Sequence, residues 1–176
     1  AKKKKYPTQK FITFFMPNPS LMKMNDQIKV LAFLNNYCEK KRFYLYVKPH
    51  PGINYKKKLK EFKNTRTIFI RPKKISMNLS ETIDEKNFFD EDLSKIIQKS
   101  KVIINFHSTT SLDAIFYLKP IINLSLKKKN NWLYKIPYYK FVLDFNAISL
   151  VNSYKQLEFA LDNYIKRSKI KSHNRI

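Results

Sequence analysis

Glycine is nearly missing from this chain: Gly52 is the only one in 176 residues. Its scarcity excludes the G-x-G-x-x-G dinucleotide fingerprint and the Walker A loop, which need glycine where backbone must approach a phosphate closely. Any phosphate site must then be built from hydroxyls, helix N-termini and basic side chains. Cysteine is as rare. Cys38 stands alone, so there is no internal disulfide and no cysteine-based zinc site, and a reducing cytoplasm is the expected setting. No apolar run approaches the roughly 20 residues that span a bilayer, and the lysines after Ala1 lead into no hydrophobic signal segment. A chain that starts at Ala1 is expected to be a fragment. Acids are few, 13 against 36 basic residues, for a formal net charge of +23. Arginine is scarce as well, at 5 residues against 31 lysines. Arginine dominates base readout and bidentate phosphate contacts, so nucleic acid is not the expected partner. Abundant Lys, Asn, Ile, Phe and Tyr with almost no Gly is the signature of an AT-rich coding sequence, and most lysines are expected on a solvated surface. Contact with acidic lipid or a negatively charged substrate is the next expectation. No metal set is visible, since His50, His107 and His173 are the only histidines.

What is present is a regular alternation of apolar runs and amphipathic segments. Residues 1–10 read as a basic lead-in or linker, 11–168 as one domain and 169–176 as a basic tail. Phe11–Met16 reads as the first strand. A helix follows in which Val30, Phe33, Leu34, Tyr37 and Cys38 share a face, with Asn25 or Asp26 as its cap. Phe43–Val47 is a second strand, 54–63 a lysine-rich helix, Thr67–Ile70 a third strand, and 73–91 a polar segment without periodicity. Leu93, Ile96 and Ile97 mark a short helix. Lys101–Leu126 reads as strand, hydroxyl-rich turn, helix with Leu112, Ile115 and Phe116 at helical spacing, and strand. Phe141–Leu143 reads as a short strand or connector after the basic loop 127–132, and Ile148–Val151 as another short strand. Ser153-x-x-Gln156 is a capping box ahead of a last helix carrying Leu157, Leu161 and Ile165. The pattern predicts an α/β fold, a Rossmann-like parallel sheet with helices on both faces.

Ligands of such sheets bind beyond the carboxyl ends of the strands. Two polar turns follow strands directly and should leave from that edge. Lys48-Pro49-His50-Pro51-Gly52 holds His50 between prolines that fix the backbone, so its imidazole is pre-oriented as a donor or acid; an ordinary loop histidine is an equal reading. His107-Ser108-Thr109-Thr110-Ser111 places four hydroxyls at a helix N-terminus. One hydroxyl caps the helix, and the excess favours a phosphate-binding turn. Asp113 falls in the first turn, either as a dipole partner or as an acceptor for a ribose diol. Lys48 and Lys119 add positive potential. His107 reads as a strand-end residue more readily than as a second donor.

The paired motifs, Lys48-Pro49-His50-Pro51 and then Ser108-Thr109-Thr110-Ser111-Leu112-Asp113-Ala114 with Lys119-Pro120-Ile121-Ile122, resemble the donor-binding half of GT-B-type glycosyltransferases. The capsule-polysaccharide biosynthesis proteins, which include Kdo transferases and are similar to bacterial sialyltransferases, look nearest. Phe11–Ser20 with Asp26-Gln27 is similar too, so the resemblance covers about residues 11–125. It implies a nucleotide-sugar donor, CMP-linked, with His50 as the catalytic contact to the leaving phosphate. Lys48, Ser108, Thr109, Thr110, Ser111 and Asp113 would bind substrate, with no metal and no further cofactor. It also implies a glycan or glycolipid acceptor, held by an N-terminal acceptor domain outside these residues, and a cytoplasmic enzyme peripheral to the inner membrane. Leu118 departs from the small residue or glycine usual before Lys119-Pro120. Polyol-phosphate transferases of the CDP-glycerol type share a similar pair of motifs and are the alternative, with a basic nucleic-acid- or membrane-binding module as the non-enzymatic one.

Overall fold

The structure, a computed structural model, describes residues 11–50, 62, 66–70, 88–89, 92–126, 135–144 and 147–173. Seven strands and five helices appear among them: β1 (Phe11–Phe15), α1 (Met24–Lys41), β2 (Tyr44–Lys48), β3 (Thr67–Ile70), β4 (Phe88–Phe89), α2 (Leu93–Lys99), β5 (Ser100–Asn105), α3 (Thr110–Phe116), β6 (Ile121–Leu124), α4 (Pro137–Asp144), β7 (Ser149–Val151) and α5 (Tyr154–His173). The strands form one sheet in the order β4-β3-β2-β1-β5-β6-β7, and every pairing is parallel. From β1 the chain steps outward on one side through β2, β3 and β4. It then returns to β1's other side and steps outward through β5, β6 and β7. The switch point therefore lies between β1 and β5.

Right-handed crossovers on either side of that point put α1 and α3 on opposite faces. α5 joins α1. The Tyr37 hydroxyl donates to Asp162 at 2.7 Å, Lys41 pairs with the same carboxylate at 2.9 Å, and Phe33 packs on Tyr154 with ring centroids 5.0 Å apart. α2 packs beside α3. Covered on both faces, β1 is buried at every position, as a central strand of a parallel sheet must be. Its one polar residue, Thr13, bonds the Ser100 hydroxyl at 2.6 Å, and that hydroxyl also donates to the Ile96 carbonyl at 2.6 Å. Ile12, Phe14, Leu45, Val47, Ile104 and Ile121 form the middle of the core. Among the described residues no helix is long and apolar enough to cross a membrane.

Scarce glycine leaves a mark on the helix ends. α1 and α3 both finish in Schellman turns, where a left-handed residue lets the next N–H reach back to a carbonyl of the last turn. Arg42 holds the left-handed position after α1 at φ 58°, and Leu118 holds it after α3 at φ 52°. Phe43 N–H bonds the Cys38 carbonyl, and Lys119 N–H the Ala114 carbonyl, both at 2.9 Å.

Several local expectations are corrected. α1 begins at Met24 with Lys23 in the cap position and no side-chain cap bond, so neither Asn25 nor Asp26 caps it. The Gln27 amide donating to the Met22 carbonyl at 2.7 Å fixes the entry instead. Phe141–Leu143, read as a short strand or connector, belong to α4, because Pro137 is pre-set for a first helical turn and Tyr139 and Leu143 are four residues apart on its inner side. A strand, β4, lies inside the polar 73–91 segment, where Phe88 pairs with Phe69. The helix expected over 54–63 (Phe62 apart) and the basic loop 127–132 lie outside the described residues.

Candidate functional site

The two polar turns leave the sheet on one edge, on either side of β1. Lys48 ends β2 opposite Phe15, and its carbonyl accepts from Met16 N–H at 2.9 Å. On the other flank Phe14 pairs with Ile104, one residue before Asn105 ends β5. Lys48 and Asn105 are thus two strand spacings apart, about 10 Å, across the switch point. His50 is half-buried and follows buried Pro49. Pro51 and Gly52 lie outside the described residues. His50 and the hydroxyl turn share the edge, with the β1 strand between them.

Beyond β5 the backbone turns sharply. His107 takes φ 43°, an uncommon conformation for a residue with a Cβ that costs about 1 kcal/mol or more. Its ring stacks on Tyr139 of α4, centroids 4.4 Å apart and 24° from parallel, which holds the turn in place. The hydroxyls then divide by role. The Ser108 hydroxyl accepts from Thr110 N–H at 3.3 Å and bonds the Thr110 hydroxyl at 2.8 Å, so Ser108 supplies the cap. Ser111 is fully buried. It accepts from the amides of Asn105 at 3.0 Å and Asn123 at 3.3 Å, and Asn105 reaches Thr110 at 3.1 Å. Asn105 and Asn123 face each other across β5 and β6, so Ser111 bolts the start of α3 onto both strands. Thr109 and Asp113 are exposed. Ser108, Thr110 and Ser111 therefore form one network, while Thr109 and Asp113 stand outside it at the surface.

The sequence alone does not single out Asn105, Asn123 and Tyr139 as site residues. The two asparagines had a signal: each interrupts an apolar strand near its end, at matching places in a strand–helix–strand unit. Tyr139 had none, since its contact with His107 spans 32 residues. Among the described residues no group of three or more His, Cys, Asp or Glu could hold a metal ion. A groove of about 280 Å³ between β7 and α5, lined by Leu150, Val151, Phe159 and Ala160 among others, lies beyond the far edge of the sheet and includes neither turn.

The all-parallel seven-stranded sheet, with its switch point between β1 and β5 and helices on both faces, defines an α/β, Rossmann-like domain. No protein-family model matches the sequence, and no curated protein matches it at a significant level. Solved structures share the fold. UDP-GlcNAc 2-epimerase from Neisseria meningitidis bound to UDP-GlcNAc superposes with a TM-score of 0.58 at 11% identity, over 94% of this chain and 38% of that one. S. aureus MnaA in complex with UDP gives 0.59 at 12% identity, over 89% and 37%. The molybdenum cofactor binding protein from Rippkaea orientalis gives 0.53 at 18% identity, over 89% of this chain and 98% of that one. The chain spans less than two fifths of the length of the Neisseria meningitidis epimerase and of MnaA.

Proposed function

We propose that this domain binds the activated donor of a glycosyltransferase-type reaction, a sugar carried on a pyrimidine nucleotide. The observation that carries the reading is the placement of Lys48–His50 and Ser108–Thr110 on the two flanks of the switch point, where this fold receives ligands. Similarity of fold to proteins solved with UDP or UDP-GlcNAc supports a nucleotide sugar. Resemblance of the two motifs to Kdo and sialyltransferases favours CMP as the carrier.

In this reading the nucleotide phosphate lies at the start of α3, with Thr109 and the Ser108–Thr110 pair around it. His50 and Lys48 approach from the β2 flank. Cleavage of the sugar–phosphate bond leaves negative charge on the departing nucleotide, and fixed N–H and ammonium donors stabilise that charge as it forms. No metal is required for this. Ser111 acts beneath the site, holding the helix start against β5 and β6. Asp113 is exposed one turn along and would meet the ribose. The general base would come from an acceptor-side domain or from the glycan acceptor itself.

The test is calorimetric titration of CMP, CDP, UMP and UDP into the chain and into His50→Ala. The reading expects saturable 1:1 binding of a pyrimidine nucleotide, weakened about tenfold or more in the variant. Equal, salt-sensitive binding of a mixed oligonucleotide without any mononucleotide response would sink it. The match over nearly the whole length of a molybdenum cofactor binding protein supports a second reading, a self-contained small-molecule carrier. Binding of molybdenum cofactor in the absence of nucleotide binding would favour it.

A further inference from the structure

The apolar spacing of Leu112, Ile115 and Phe116 suggests a core stripe, yet α3 turns most of it outward. Leu112 is 48% exposed, Phe116 79%, and Leu118 in the next turn 91%. The buried side of α3 is Ser111 and Ala114. Leu118 sits in the hydrogen-bonded Schellman turn, and Phe116 is braced edge-on by Tyr117 at 5.1 Å. Large apolar side chains exposed together at one helix end mark an interaction surface.

Their surroundings say what kind. α2 and α3 pack together and lead into the adjacent strands β5 and β6. Their C-terminal ends therefore meet at the opening edge of the sheet, opposite the candidate site. Three lysines stand at these ends: Lys99 closes α2, Lys101 is the second residue of β5, and Lys119 lies between Leu118 and β6. Lys119 donates to the Gln98 carbonyl. Partial burial, and secondarily the neighbouring Lys101 ammonium, push its pKa down, so an external anion would relieve the strain between the two. The exposed acids of these helices precede those ends, Asp92 at the cap of α2 and Asp113 at the middle of α3, three residues before Phe116. A second copy of this face would set lysines against lysines. Nucleic acid would gain nothing from a protruding leucine.

We propose that this edge docks on an anionic lipid bilayer, with Phe116 and Leu118 entering the headgroup–acyl boundary and Lys99, Lys101 and Lys119 meeting acidic headgroups. The surface lies at the opposite end of the strands from the nucleotide edge, so the proposal stands whether or not the nucleotide reading does.

Vesicle flotation of the full chain provides the test, comparing phosphatidylcholine alone with a mixture holding about 30% phosphatidylglycerol in about 0.1 M salt. The chain should float with the anionic vesicles only. The F116S/L118S double variant, its fold checked by circular dichroism, should lose about tenfold or more in partitioning. K99E/K101E should lose a similar amount with the apolar pair intact. Absence of binding by the wild type overturns the proposal. So does undiminished binding by F116S/L118S, which would assign adhesion to diffuse net charge. A change in oligomeric mass in F116S/L118S, with vesicle binding unchanged, would identify a protein interface instead.

Discussion

Ser111 and Thr109 are two of four consecutive hydroxyl residues, and their surroundings make them opposites. Ser111→Ala removes the acceptor shared by the Asn105 and Asn123 amides, leaving buried donors unmet at a cost of about 1–3 kcal/mol. Thr109 is exposed and makes no side-chain cap bond, so Thr109→Ala should shift stability by less than about 0.5 kcal/mol. Chemical denaturation of both variants checks the difference, and equal losses would mean that Ser111 is not the bolt described here. Arg42 holds a left-handed position that glycine takes at lower cost. Arg42→Gly should raise stability by about 1 kcal/mol in the same experiment, and a loss would show that the turn is not left-handed. Cys38 is buried and its thiol is pushed up to about 12, first by burial and then by the nearby Glu39. It should resist maleimide at pH 8 until denaturant is added; prompt labelling of the native chain would contradict its place in the core.

Elements differ in how much of them the sequence makes legible. The strands β1, β2, β3, β5 and β6 were readable because a strand covered on both faces must be a continuous apolar run, and the alternation with helices then dictates a parallel sheet. α5 was readable from both its cap and its stripe. Ser153 accepts from Gln156 N–H at 3.2 Å, and the Gln156 side chain returns to Asn152 N–H at 2.7 Å. α3 misled, since its apolar spacing faces outward while its inner side is Ser111 and Ala114. A seven-residue helix pressed against two strands at close range has room inward for small residues only, and periodicity alone cannot tell which face that is. The division of labour among the hydroxyls was equally hidden, because it depends on Asn123, which is distant in sequence and adjacent only after β6 forms. Between α1 and α5 the Asp162 carboxylate is subject to burial, which raises its pKa, but bonds from Tyr37 and Lys41 outweigh that and hold it below the usual range. A carboxyl with a depressed native pKa contributes stability above its unfolded value, near 4. That contribution fades as pH falls through the native value. The stability of Asp162→Asn should therefore lie about 1 kcal/mol below wild type at pH 7, and the two should converge under acid. A gap that persists at pH 2 would place the coupling elsewhere.

The whole molecule carries +23 charges, and self-repulsion of that size destabilises a compact state. Screening should raise the melting temperature by several degrees between about 0.02 and 0.5 M salt, and a fall over that range would mean that attractive pairs dominate. Polar and charged groups are divided between the two ends of the sheet. The carboxyl end gathers His50 and the hydroxyl turn, and the opposite end holds Lys99, Lys101 and Lys119 along with Phe116 and Leu118. The central claim is that the carboxyl end receives a nucleotide phosphate, and amide NMR of the labelled chain during titration with CMP, then UDP, tests it most directly. The account predicts saturable shifts concentrated at His107–Leu112 and around Lys48 and His50, with Lys95, Lys99 and Lys101 unmoved. Shifts spread over the exposed lysines, with the hydroxyl turn silent, would contradict it.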